Sequence, residues 1–289
     1  MTASSAESRP RCVVLPIVSR DPEAPGIGLA VHFLFGNVIV LHPAFREFWF
    51  GWRVAAVFPS KSDLTTYCSG GEPSPGPVQT GRKEEIRFWL LGTMSGQGFP
   101  LSVQTVLVDA ETEDECRLPE MAVDTDGALV ELRRQLMSSM KACGHPFPEH
   151  QQKKALWPEE ASPAGLDAVG RALAVFYLQS AYGGKAPVEL PPFEHAVSEA
   201  PGSFMAHDLL GWALYRNARH GSARRAFLES VRINAHGAGA MAGLMWCGVM
   251  TGERQEALYW AARKAESCDS DIEAARKKAE RLLEKYNRS

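Results

Sequence analysis

Laid on itself, the second half of the chain repeats every 34 residues: Ala206 recurs as Ala240, Leu210 as Leu244, Trp212 as Trp246 and Ala223 as Ala257. Phe193 recurs as Phe227 and then as Ala261. A unit of this length holds two helices and cannot bury its apolar face alone, so the period dictates stacked helical hairpins. It also settles how to read Gly211–Ala235, which carries five arginines and almost no acid. Leu210 and Gly211 let two helices approach, Ala223 sits at their crossing, and Phe227 fills the gap toward the next helix. Arg216, Arg219, Arg224, Arg225 and Arg232 are what remains for solvent. Glu253, Glu256 and Glu266 interrupt any basic stripe in the next unit, and nucleic acid would need several phosphate contacts from one continuous face. No nucleic-acid partner is expected.

Charge agrees. The whole chain has a formal net charge of −3, divided as 14 Lys+Arg against 10 Asp+Glu in residues 204–289 and 17 against 24 before them. The opposite signs of the halves could dock them on each other or steer a partner. Six cysteines (Cys12, Cys68, Cys116, Cys143, Cys247, Cys268) show no CxxC pair and no metal-ligand spacing, which reads as reduced thiols, no metal and a cytoplasmic location. Residues 1–10 read as a flexible tail without the apolar run of a signal peptide. The most apolar stretch, Gly26–Leu41, is shorter than the roughly 20 residues of a spanning helix and contains His32 and Asn37. It is expected to be a buried helix, with no membrane span.

Residues 11–145 alternate strand and helix signals. Cys12–Val18 reads as a buried strand followed by a Pro/Gly-rich loop, then comes the Gly26–Leu41 helix, and Arg53–Phe58 reads as a short strand. Ser69–Arg82, rich in Gly, Pro and Ser, reads as a mobile, disordered insertion. "IRFWLLGTM" and "LSVQTVLVDA" around "SGQGFP" predict a hairpin. The acidic run Asp109–Glu115 reads as a solvated connection, since it lacks the glycine and terminal glutamate of a calcium loop. Asp124, Thr125 or Asp126 then caps a helix to Ala142 with Leu129, Leu132, Leu136 and Met140 on one face. On "VVLPIVSRDPE" and the hairpin residues Leu91, Gly92, Gly98, Leu107, Asp109, Ala110, Glu111 and Thr112, this part resembles the amino-terminal domain of TolB-like proteins, with Glu113 where that family has glycine. The resemblance implies a regulatory or partner-binding module of bacterial type without catalytic residues, commonly placed before tetratricopeptide repeats.

Residues 146–164, with four prolines and many charges, read as a linker. Residues 165–289 resemble a tetratricopeptide array: a degenerate first repeat, two fuller ones from Phe204 and Ala238, and a capping helix over 271–287. The fold class expected is therefore α+β in two parts, a small mixed-sheet α/β domain followed by an all-α array. In that family the first helix of each repeat lines a groove, which puts Trp212, Tyr215, Arg216 and Trp246 on or near the lining, unless the tryptophans are wedged between helices. An apolar or basic helix is the expected guest. A second partner surface is the patch Phe45, Phe48, Trp49, Phe50 and Trp52, which otherwise reads as core. No catalytic constellation stands out: the glycines of Gly26–Gly36 lack a phosphate-loop order, and His207 and Asp208, being adjacent on a helix, point apart. The reading is a non-catalytic adaptor or scaffold that needs no cofactor and binds another protein. The alternatives are a permanent subunit of a larger complex, and a small-ligand sensor or enzyme using a pocket of the α/β domain.

Overall fold

The computed structural model describes residues 9–21, 24–47, 50, 51, 53–96, 99–123, 128–159, 161–184 and 186–286, the side chains of Glu47, Arg82 and Ala128 excepted. The apolar run Cys12–Val18 makes two short strands, β1 (Arg11–Val14) and β2 (Val18–Ser19). Pro16 lies between them and has no N–H for a ladder, so one continuous strand is broken there. Helix α1 (Pro25–Ile39) follows, buried over nearly its whole circumference, and β3 (Arg46–Glu47) returns to pair in parallel with β1.

Arg53–Phe58, expected as a strand, contains instead the single-turn helix α2 (Val54–Val57). Val54, Val57 and Phe58 are all buried. A strand would send residues 54 and 57 to opposite faces, whereas a helical turn puts them on one. After α3 (Lys61–Cys68), whose Ser60 and Asp63 form a reciprocal cap, the stretch expected to be a disordered insertion acquires structure in its second half. Pro77 opens α4 (Pro77–Thr80), and a 3₁₀ turn covers Gly81–Glu84, with Gly81 pressed against the buried Trp89 ring. A proline preset for the first helical position and this contact override the loop-like composition.

The hairpin forms as the sequence predicts, β4 (Ile86–Ser95) running antiparallel to β5 (Leu101–Asp109) with Phe88 opposite Asp109 and Ser95 opposite Ser102. Gly98 lies outside the described residues. The acidic connection is exposed, but its second half is strand β6 (Asp114–Arg117), and β7 (Met121–Val123) adds to the other end of β5. Glu113 takes φ 64° in the turn between β5 and β6, the left-handed region that glycine occupies most readily. The sheet order is β3-β1-β4-β5-β6, with β2 on β4 and β7 on β5. Helix α5 (Ala128–Ala142) buries Leu129, Leu132, Leu136 and Met140; its expected caps at 124–126 lie outside the described residues. Cys143, at its end, is bridged to Cys116 on β6 with Cα atoms 6.0 Å apart. The expectation of six reduced cysteines is thus corrected, and with it the argument from thiols for a reducing compartment. Spacing along the chain could not show that α5 ends beside the outer strand at bridging distance.

Residues 146–164 are not a bare linker. They hold α6 (Glu149–Ala155), and Phe147, Trp157 and Glu159 are buried. The remainder is helical: α7 (Pro163–Tyr182), α8 (Pro191–Glu199), α9 (Phe204–Arg216), α10 (His220–Ile233), α11 (Ala238–Thr251), α12 (Arg254–Ser267) and α13 (Ile272–Tyr286). The starts of α9 and α11, and of α10 and α12, are each 34 residues apart. Phe227 fits between Gly211 and Gly243, where a Cβ on either glycine would strike its ring. The result is a mixed sheet in the first half and a mostly helical second half. One cluster of buried side chains runs from Cys12 to Cys268 through both. Among the described residues no helix is long and apolar enough to cross a membrane.

Candidate functional site

The site follows from how α1 is covered. A helix apolar on every side must be packed from every side; the sheet takes one face, and α7 and α9 take the other. Gly26 of α1 and Gly170 of α7 meet backbone to backbone, with no room for a Cβ at Gly170. The Gly26 N–H donates to Asp167 Oδ1 at 2.8 Å, so a carboxylate of α7 satisfies an amide in the first turn of α1. Phe33 stacks on Phe204 at 6.3 Å, and His32 Nε2 shares a 2.6 Å hydrogen bond with Tyr177 Oη. Burial depresses the His32 pKa to about 4, against a smaller opposing effect of the Leu15 backbone. This His32–Tyr177 pair borders a void of about 40 Å³ that Asp208 and Trp212 also line.

A second seam contact lies at the connecting segment. Arg133 of α5 and Glu159 are both buried, with Nη1 3.7 Å from Oε2. Arg133 Nη2 donates to the Trp157 carbonyl at 2.5 Å, and the guanidinium lies 4.1 Å from the Trp157 ring centroid. Glu159 accepts from Ser203 Oγ at 2.7 Å, just ahead of α9, and from Trp157 Nε1 at 3.1 Å. Burial raises the Glu159 pKa and lowers that of Arg133 to about 10, while each charge partly restores the other's ionised form. Further along, Lys154 of α6 donates to the Glu266 and Ser267 carbonyls at the end of α12, at 3.1 and 3.2 Å, a cation where the helix dipole favours one.

Helix α1 thus packs mainly on α7 and touches α9 at one end. Beside this seam lies a pocket of about 520 Å³, walled by Arg11, Arg46 and Arg53 from the sheet half and by Lys264 and Lys278 from the array, with Trp212, Ala238, Gly239, Ala242 and Trp246 completing it. Its lining holds neither carboxylate nor histidine, thiol nor hydroxyl. Lost solvation, then the nearby charges of Lys264, Arg53 and Arg281, hold the Lys278 pKa below its ordinary value.

Of the four groove residues expected from the sequence, Trp212 and Trp246 line this pocket. Trp212 is only 3% exposed, packed against Tyr215 at 5.7 Å and Phe227 at 5.2 Å, so it acts chiefly as packing. Trp246 is half-buried against Tyr286 at 6.0 Å. Tyr215 and Arg216 are outside the lining; Arg216 Nη2 donates to the Gly184 carbonyl at 2.9 Å. In the aromatic patch, Phe45 and Phe50 are interior rather than surface, each 4% exposed. Phe45 packs on His42, Phe88 and His145, and Phe50 on His32, Phe58 and Tyr177, because the sheet and α1 fold over them. Phe48, Trp49 and Trp52 lie outside the described residues.

The five cations were missed as a group. One signal was present: Lys264 falls one period after Ser230, a fully buried small residue, so the repeat pattern breaks where the pocket begins. A basic guest helix does not suit this lining, since like charges repel. No group of His, Cys, Asp or Glu side chains among the described residues is placed to hold a metal ion. The chain matches no protein-family model, and no curated protein is similar to it.

Proposed function

We propose that this chain is a non-catalytic adaptor that presents a short helical array, of tetratricopeptide type, to another protein, with a TolB-like sheet half bracing the array from within. The observation that carries this reading is where apolar surface is left uncovered. The large hydrophobic side chains exposed among the described residues are Met250, Tyr259, Ile272 and Tyr286, all in the last three helices. Trp246 and Met250 lie one turn apart on α11, and Tyr286 packs against Trp246. That rim offers a partner aromatic and thioether surface of the kind that dominates interfaces. The helical period supports the repeat reading, and the left-handed Glu113 at the family's glycine position supports the TolB-like one.

The test is affinity capture with full-length protein and its Trp246→Ala variant. Because Trp246 is half-buried at the rim, the variant should stay folded, while a contact worth about 2 kcal/mol or more is lost from a complex. Expected is a partner held by the native chain in stoichiometric amount and lost with the variant, at an unchanged circular dichroism spectrum. Recovery of the same proteins at the same level by both would overturn the reading.

A further inference from the structure

The lining of the 520 Å³ pocket gathers five cationic side chains and holds no carboxylate. Among the described residues, Arg46, Lys264 and Lys278 have no carboxylate within ion-pair distance, and Arg46 Nε is buried without a hydrogen-bond partner. Arg11 is held by Glu84, through its carbonyl and through a carboxylate at 3.9 Å. A smaller cavity of about 160 Å³ shares Arg46 and Lys264 and adds Arg9. The buried carboxylate Asp208 lies behind Gly239 and lines the 40 Å³ void rather than this pocket. Helix α11 also starts here: Ala238 and Gly239 line the pocket, Gly237 supplies no side-chain cap, and the first turn holds no acid.

Like charges brought together in a cleft with low-dielectric walls repel one another and focus a positive potential into the space between them. Arginine forks and ammonium groups match phosphate oxygens, and a helix start adds amide dipoles of the same sign. The remaining wall is apolar: Trp212 and Trp246 with Ala238, Gly239 and Ala242. Trp246, half-buried, supplies an aromatic ring against which a planar group can pack. The volume is that of a small-molecule site, within the usual range of about 300–1,000 Å³, and too small for a helix about 10 Å across.

The geometry points to a ligand site at the seam between the sheet half and the array for a small, multiply charged phosphoanion that carries a planar ring, the chemistry of a nucleoside di- or triphosphate. The phosphates lie among Arg46, Arg53, Lys264 and Lys278, and the ring lies against Trp246. A ligand held by residues of both halves ties them together. Because Trp246 also belongs to the exposed rim, occupancy of the pocket reaches the surface proposed for the protein partner, though the site itself does not depend on that partner.

The experiment is calorimetric titration of the purified full-length chain with ATP, GTP, sodium tripolyphosphate, hexaglutamate and heparin at one ionic strength. Expected is saturable one-to-one binding of at least one nucleotide, with tripolyphosphate weaker by about tenfold for want of a ring to stack. Hexaglutamate should give no saturable heat. Lys278→Glu and Arg53→Glu, both at exposed positions, should each weaken the nucleotide at least about tenfold while the free variants keep the circular dichroism spectrum of the native protein. The nucleotide should raise the melting temperature of the native chain in step with its concentration. The inference is overturned by absence of saturable binding of any nucleotide at about 1 mM, the weak limit of specific affinity. It is equally overturned if both variants bind as the native chain does, or if heparin or hexaglutamate binds as tightly as the nucleotide, which would mark a general polyanion surface. The titration uses no protein partner, so its failure and that of the adaptor reading are told apart.

Discussion

Two arginine-bearing places join the sheet half to the array, and their surroundings are opposites. At the connecting segment, Arg133 is wholly buried and has its carboxylate, Glu159, which is itself tied to Ser203 ahead of α9. At the open pocket, Arg46 and Arg53 face Lys264 and Lys278 across a gap lined by no acid. A buried ion pair is costly to assemble and costlier to break, so the first contact fixes geometry. Clustered cations destabilise the free protein slightly and are useful when something anionic arrives. One end of the seam is closed chemistry, and the other is left open.

The largest effect expected belongs to the buried interior rather than to the pocket, and it is acid sensitivity. His32 and His42 both have folded pKa values pushed down to about 4 by burial, from 6.5. As pH falls through 6.5 the unfolded chain takes up protons first, so stability that is complete above about 6.5 is lost progressively toward pH 4. Each histidine accounts for on the order of 3 kcal/mol. Urea unfolding across this range measures it, and His32→Phe should remove a large part of the slope. A flat profile would show that the burial of His32 and His42 adds no pH-dependent stability.

Next in size is the buried pair. Glu159→Ala leaves Arg133 charged in the interior and should cost about 3–5 kcal/mol in equilibrium unfolding, most of it regained when Arg133→Met is added. A loss below about 1 kcal/mol would mean that Arg133 finds water, and the contrast with the pocket would weaken. The smallest effect has the opposite sign. Lys278→Gln relieves repulsion among exposed cations and should stabilise the free protein by a few tenths of a kcal/mol at low salt, a gain that disappears near 1 M salt, where screening reaches only about 3 Å.

These differences bear on how much was legible in the chain. The period of 34 gave the starts of α9 and α11, at Phe204 and Ala238, without help from tertiary structure, because a repeat is a local pattern copied. The hairpin of β4 and β5 and the buried face of α5 were legible for the same reason. What failed was decided across long separations: the strand expected at 53–58 became helix α2 against α7, the expected linker became a buried clamp, and Cys116 met Cys143. The candidate site was half visible. Trp212 and Trp246 came from the period, whereas Arg46 and Arg53, at the two ends of an aromatic run, gained meaning only when the sheet turned them toward Lys264 and Lys278. A cation cluster drawn from four segments has no signature in one of them.

The crossing of α1 and α7 sets an order of events during synthesis. Gly26 and Gly170 touch in the finished protein, yet Gly170 follows by 144 residues in the chain. At about 5–20 residues per second, the most apolar helix of the molecule leaves the ribosome on the order of ten seconds before the helix that covers it. Throughout that interval α1 can rest on the sheet with one side only, and its Phe33 side is bare until α7 and α9 arrive. Nascent chains of this protein therefore expose a greasy helix for a defined time, the interval in which holding chaperones have something to hold.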